Sequence, residues 1–288
     1  MRWCIKGLLI DMRFVKTLPE LRQSLTGLPN PVGLVPTMGF LHAGHLALVR
    51  QARETCASVV VSVFVNPTQF GPAEDFNAYP RNLERDLSML EEAGTDLVWS
   101  PGAEDMYPPG YQTWITVDNV TQPLEGKIRP GHFRGVATVV AKLFNAVQPD
   151  KAFFGQKDAQ QVAVIRQMVC DLNFPVEIVV CPTVREEDGL AMSSRNTYLN
   201  PDERQAASVL YHALTAAQAA FHAGERQAER LRQVIADTID AEPLARRQYV
   251  SCADPASLEE IQGEVGSALL SMAVFVGKTR LIDNLLLE

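Results

Sequence analysis

The chain has no excess of positive charge. Against 26 Lys and Arg stand 34 Asp and Glu, a formal net charge of −8. That balance argues against nucleic acid or an anionic membrane as a general partner, while leaving room for a local basic pocket. No C-x-x-C pair occurs, and the five cysteines (Cys4, Cys56, Cys170, Cys181, Cys252) are scattered and odd in number. They read as reduced thiols in a cytoplasmic protein, not as a disulfide framework. No apolar run is long enough to span a bilayer. The short apolar run near the N-terminus stops at Asp11, too soon for a secretory signal. A G-x-G-x-x-G fingerprint is absent, so a nicotinamide or flavin dinucleotide gains no support. Internal repeats and low-complexity tracts are missing as well.

What is present is an ordinary globular composition, 47% hydrophobic and 21% charged, over 288 residues, enough for two domains. From residue 32 to 181, β-like runs alternate with helical patterns. The runs Val32–Val35, Ser58–Val65, Asp96–Trp99, Trp114–Val117, Lys151–Phe154 and Pro175–Val180 read as strands. Ser58–Val65 is continuously β-branched or apolar, as expected of a strand covered on both faces. Thr17 with Glu20 reads as a capping box, Pro80–Ala93 as an amphipathic helix ending at Gly94, and Val136–Val147 as a helix with one core face. This is the grammar of an α/β fold, a doubly wound parallel Rossmann-like sheet, over residues 12–183. Asn200-Pro201-Asp202-Glu203 then opens helices reaching about Asp240, followed by β-like runs at 248–251, 271–276 and 279–284. Residues 184–288 are therefore expected to form a smaller C-terminal α+β domain. Met12 is followed at once by a sensible first element, so residues 1–11 are expected to be an extension or the product of an upstream start codon.

The chemistry-bearing stretch runs from Val32 to His45. An apolar strand breaks at Met38-Gly39 and passes through Phe40-Leu41-His42-Ala43-Gly44-His45 into a helix. In an open parallel sheet, ligands bind where strand ends meet helix starts. A helix N-terminus offers free N–H groups and partial positive charge to phosphate, and imidazole can be charged near neutral pH. A metal shared by His42 and His45 is the weaker reading, for want of a third ligand nearby in sequence. Gln69 follows the turn Asn66-Pro67-Thr68, whose own residues turn chemistry explains. Two more anion-friendly places are the basic loop 126–135, which also reads as a solvated loop, and Gly155-Gln156-Lys157-Asp158. Ser193-Ser194-Arg195 could neutralise a polyphosphate.

His42-Ala43-Gly44-His45 resembles the H-x-G-H signature of the nucleotidyltransferase superfamily. In order and spacing, Pro36–Gly39, Phe64–Phe70, Tyr79-Pro80-Arg81, Arg129–Gly135, Phe154–Asp158 with Gln160-Gln161, and Ser193–Asn196 resemble the pantoate–β-alanine ligase family, from about residue 12 to the C-terminus. The resemblance implies ATP-dependent condensation of pantoate with β-alanine through pantoyl-adenylate, releasing AMP and pyrophosphate. It makes Met38, Gly39, Phe40, Leu41, His42, Ala43, Gly44 and His45 the first ATP-binding segment, with His45, His42 and Lys157 catalytic. Gly155, Gln156, Lys157 and Asp158 become the second nucleotide segment, and Val184 a backbone contact. Met192, Ser193, Ser194 and Arg195 become the clamp on the triphosphate, and Gln69 and Gln161 the substrate glutamines. It also implies Mg²⁺ with ATP, with Asp86 as its protein contact, a C-terminal lid, and a homodimer. Gln156 departs from the family's usual glutamate and removes a negative charge beside the phosphates. The competing readings are a plain nucleotidyltransferase acting on a phosphorylated acceptor, and a non-catalytic nucleotide-binding protein in which Gln156 marks a decayed site.

Overall fold

The computed structural model describes residues 12–72 and 74–288; the expected extension at 1–11 lies outside the described residues. Strands β1 (Arg13–Val15), β2 (Val32–Thr37), β3 (Ser58–Val63), β4 (Leu97–Trp99), β5 (Lys151–Gly155) and β6 (Glu177–Cys181) form one sheet. Its order is β1-β4-β3-β2-β5-β6, and every pair is parallel. From β2 the chain first adds β3 and β4 on one side, then crosses to add β5 and β6 on the other. The β2–β5 boundary is thus the topological switch point, where strand C-termini open a crevice.

Alternation along each strand explains the apolar runs. Leu34, Val60, Leu97, Trp99, Ala152 and Phe154 face one core. Val35, Val59, Val61, Val98 and Phe153 face the other. A strand buried on both sides shows no polar–apolar alternation, because both sets of side chains leave water. The first core is closed by α1 (Leu18–Leu25), α6 (His132–Val147) and α7 (Ala159–Asp171), the second by α2 (Ala43–Thr55) and α3 (Leu83–Glu92). The capping box at Thr17 and Glu20 is formed. The short helices α4 (Ala103–Met106) and α5 (Glu125–Ile128) sit in the long β4–α6 connection.

Two expectations are corrected. Among the described residues Trp114–Val117 pairs with no strand. Its backbone is served instead by α6, where Ile115 N–H donates to Thr138 Oγ1 at 3.0 Å, while Trp114 stacks on Tyr107. The α3 helix starts at Leu83 rather than Pro80, because the Asn82 side chain caps it by accepting from Arg85 N–H.

The C-terminal unit carries α8 (Pro201–Ala206), α9 (Val209–His222) and α10 (Ala228–Asp240) on a meander of β7 (Ala245–Ala253), β8 (Ala268–Val276) and β9 (Thr279–Leu287). Even-numbered Leu270, Met272, Val274 and Val276 enter the helical core. Leu269, on the opposite face, joins Leu258 in the core of the parallel-sheet domain. The meander is therefore a shared wall between the two units.

The α6 helix also fixes the turn after β3. Asn66 Nδ2 donates to the Gly135 carbonyl at 3.2 Å, and a Cβ built on Gly135 would lie 2.4 Å from the Thr68 carbonyl oxygen. Gly135→Ala should push this turn off the helix and lower stability by roughly 2 kcal/mol, the scale of overpacking. A urea midpoint equal to wild type would contradict that approach.

Candidate active site

Thr37 ends β2 with its hydroxyl donating to the Ser62 carbonyl and accepting from Gly39 N–H. The chain then reverses through positive φ at Gly39 (79°) and Phe40 (49°). Phe40 in this region is strained, since a bulky side chain crowds its own backbone there. Asp86, 1% exposed on α3, holds the turn: its carboxylate accepts from Phe40 N–H at 2.7 Å and Leu41 N–H at 2.8 Å. Both oxygens of Asp86, the expected Mg²⁺ contact, accept from backbone N–H groups here, which gives this carboxylate a turn-holding role. Among the described residues no group of three or more His, Cys, Asp or Glu could cage a metal.

The turn delivers His42 to the N-cap of α2. Gly44 N–H donates to His42 Nδ1 at 3.2 Å, and His42 N–H donates to His45 Nδ1 at 3.4 Å. The rings lie 4.1 Å apart between centroids. With both Nδ1 atoms accepting, the network assigns the ring proton to Nε2 in each. Burial, then the nearby Lys157 charge, pushes His42 down to about 4. Burial, then His42 and Lys157, pushes His45 down to about 3. The expectation of charged imidazoles near neutral pH is thus corrected: these are neutral donors.

Met38, His42, Gly44, His45, Asn66, Gln69, Gly155, Lys157, Asp158, Gln161, Val184, Met192, Ser193, Ser194 and Arg195 line one cavity of about 230 Å³ at the switch point. Gly39, Phe40, Leu41 and Ala43 lie outside its lining and support the turn. The cavity adjoins a second of about 550 Å³ between the two units, sharing Arg129, Lys157, Asp158, Ser193 and Arg195 with it. The first alone is below the usual ~300–1,000 Å³ of a ligand pocket, so a nucleotide with a second substrate needs both.

Each wall is prepared by buried polar bonds. Asn66, 1% exposed, donates to Gln69 Oε1 and accepts from Thr68 and Tyr107, while Gln69 Nε2 reaches Met38 Sδ at 3.0 Å. His132 Nδ1–H donates to the Gln69 carbonyl at 2.8 Å. Burial and Arg129 press His132 down to about 4. Arg129 is itself bound by both oxygens of Glu74. The basic loop is therefore a brace for Gln69 more than a free anion site. Gln160 turns inward to Glu125 N–H and the Val120 and Pro123 carbonyls, leaving Gln161 to face the cavity. Met192 N–H bonds the Val184 carbonyl, so these two sit side by side. Arg195 spends Nε and Nη2 on Asp75, and its Nη1 has no hydrogen-bond partner among the described residues. Gln156 departs from expectation: its side chain is outside the cavity lining and bonds Asn284 of the C-terminal unit. Sequence reasoning missed Glu74, Asp75 and Asn284, which carry no motif of their own.

A doubly wound sheet with neutral histidine donors and cations at its switch point defines a nucleotide-using α/β enzyme. The comparisons narrow this. The family model described as Pantoate-beta-alanine ligase matches residues 13–286, and the chain belongs to that family. It is 59% identical to the pantothenate synthetase of Herpetosiphon aurantiacus over 96% of this chain and 100% of that protein. The crystal structure of pantothenate synthetase from Thermus thermophilus superposes with a TM-score of 0.91 at 51% identity, covering 95% of this chain and 99% of that one. The pantoate–β-alanine ligase of Francisella tularensis, solved with β,γ-ATP and β-alanine, gives 0.78 at 35% identity over 96% and 97%. The protein is accordingly a ligase that condenses pantoate with β-alanine at the expense of ATP, forming an amide bond.

His42, His45 and His132 share a consequence. Each is held below its unfolded value of about 6.5, so the unfolded chain takes up protons first as pH falls. Stability is full well above pH 6.5 and should fall by roughly 5 kcal/mol between pH 7 and 5, about 2 kcal/mol for each imidazole that titrates near 6.5 when unfolded and stays neutral when folded. Urea midpoints that stay level over that window would refute the neutral assignment.

Proposed function

We propose that the switch-point cavity performs the condensation in two steps. The pantoate carboxylate oxygen attacks the α-phosphorus of ATP, the bond to the β-phosphate breaks, and pyrophosphate leaves. The β-alanine nitrogen then attacks the acyl carbon, AMP departs with the bonding pair, and the amine proton passes to solvent. No protein nucleophile takes part, so catalysis is positioning and charge stabilisation. The observation that carries this reading is that His42, His45, Lys157, Gln69, Gln161 and Arg195, spread widely along the chain, line a single cavity.

In this reading, Nε2–H of His45 and His42 donate to the phosphate that changes charge, at the N-terminus of a 13-residue helix. Lys157 supplies the mobile positive charge, with Asp158 beside it at 3.6 Å. Gln69 and Gln161 hold pantoate, Gln69 also meets β-alanine, Val184 offers its backbone to the nucleotide, and Met192 belongs to the loop that clamps the triphosphate. The unspent Nη1 of Arg195 meets the triphosphate while Asp75 keeps the guanidinium in place. Mg²⁺ enters as the counter-ion of ATP on phosphate oxygens, as is usual for this ion. Among the described residues no cluster of His, Cys, Asp or Glu cages it. The 184–288 domain acts as a lid that keeps water from the acyl-adenylate. A cytoplasmic homodimer completes the proposal. No described helix is long and apolar enough to cross a membrane.

Purified protein should release AMP from ATP only when pantoate and β-alanine are both supplied. His45→Ala should slow adenylate formation by about 10²-fold, the usual scale for one preorganised donor. A change under about threefold would remove His45 from its role. For Asp86→Asn the expectation is different: stability drops by about 2 kcal/mol, the scale of hydrogen bonds to a buried charge, while the Mg²⁺ concentration giving half-maximal rate stays put. A large rise in that concentration would restore Asp86 as a metal contact.

A further inference from the structure

The last strand of the C-terminal unit reaches back to the segment that presents Lys157. Asn284 on β9 is 4% exposed and faces the parallel-sheet domain. Its Nδ2 donates to two successive carbonyls, Gln156 at 3.0 Å and Lys157 at 2.8 Å. Its Oδ1 accepts from Gln156 Nε2 at 3.1 Å. One side-chain amide thus grips both the backbone and the side chain of the short turn between β5 and α7.

The grip is itself anchored. Asn284 N–H donates to Asp283 Oδ1, and its carbonyl accepts from Arg185. Asp283, 2% exposed, binds Arg185 through both oxygens, at 2.6 and 3.0 Å. Arg185 directly follows Val184 and is bridged to Ala191, the neighbour of Met192. A continuous string of hydrogen bonds therefore joins the Val184–Met192 wall to the backbone of Lys157. The geometry points to Asn284 as a positioning residue for Lys157. It sets where the ammonium stands when the C-terminal unit is seated, and so acts on the adenylate-forming step in particular. This rests on the role given to Lys157 above.

The identity of the side chain follows from the acceptors it meets. Two carbonyl oxygens on one side and an amide donor on the other require a group with two N–H donors and an oxygen, which asparagine has and aspartate lacks. An aspartate here would bring negative charge against two carbonyl oxygens, with no donor for either. A displacement of the ammonium by about 1 Å is enough to cost on the order of 10²-fold in a reaction that depends on positioning.

The test separates the two half-reactions on the same preparation, so that any loss of folded protein cancels in their ratio. The first is read as exchange of labelled pyrophosphate into ATP with pantoate present. The second is read as amide formation from supplied pantoyl-adenylate and β-alanine in one turnover. For Asn284→Ala the ratio of first to second rate should fall about tenfold, and for Asn284→Asp it should fall further. Ratios within threefold of wild type for both variants overturn the inference. Lys157→Ala is measured alongside. If it lowers the ratio while the Asn284 variants do not, the clasp alone is wrong. If it leaves the ratio unchanged, the reading of Lys157 fails and the clasp inference falls with it.

Discussion

The buried carboxylate of Asp86 is the contact on which the site depends. A parallel strand must hand over to a helix within a few residues, and here the chain does so through a left-handed phenylalanine. Such a conformation costs roughly 1–2 kcal/mol for an L-residue. Two charge-assisted bonds from Phe40 and Leu41 N–H to Asp86 offset that cost. They also aim the next residues, so that His42 caps α2 and His45 leans on it. Ser194 reinforces the same turn from the far side by donating to the Phe40 carbonyl. The turn is thus the point where α3, the histidine helix and the C-terminal clamp meet.

The two units are joined by polar clasps at the cavity's edges as well as by apolar contact. Glu125 accepts from Arg280 through both oxygens and from Tyr249. The neighbouring cations hold its carboxyl below the usual range despite burial, which alone would raise it. Asp75 binds Arg195 and accepts from the Tyr198 hydroxyl. Such pairs contribute little net stability once desolvation is counted, but breaking one partner is costly. They are suited to fixing a geometry rather than to strengthening the fold.

Much of the fold was legible because burial on both faces of a parallel sheet leaves a plain signal. Ser58–Val63 and Val32–Val35 declared themselves through unbroken apolar character, and the caps at Thr17 and Asn200 through local hydrogen-bonding chemistry. The strand β1 was not legible: three residues, mostly exposed, are ordered by pairing with β4 far along the chain. Trp114–Val117 failed for the opposite reason, having strand composition but no strand partner. At the site, the cavity-facing residues carried recognisable motifs, while their supports did not. Glu74, Asp75 and Asn284 act through contacts with residues far away along the chain, and nothing in their sequence neighbourhoods marks them. Gln156 was read as a change of charge beside phosphate; its side chain instead turns to Asn284, which only the juxtaposition of β5 and β9 could reveal.

The electrostatic design follows from what the site must bind and then release. A polyanion would be trapped by a pocket of unpaired cations, and the AMP and pyrophosphate formed would leave slowly. Here Arg129 is matched by Glu74, Arg195 by Asp75 and Arg280 by Glu125, so their fields are largely spent at rest. The histidines are neutral and offer direction without net charge. Of the cations lining the switch-point cavity, Lys157, with Asp158 3.6 Å away and half-exposed, is the least tied down among the described residues. Within that cavity, attraction is therefore concentrated on one ammonium whose backbone is gripped from the other unit. Stabilisation then depends on where the charge stands and not on how much charge the pocket holds, which is the condition for favouring a transition state over the nucleotides on either side of it.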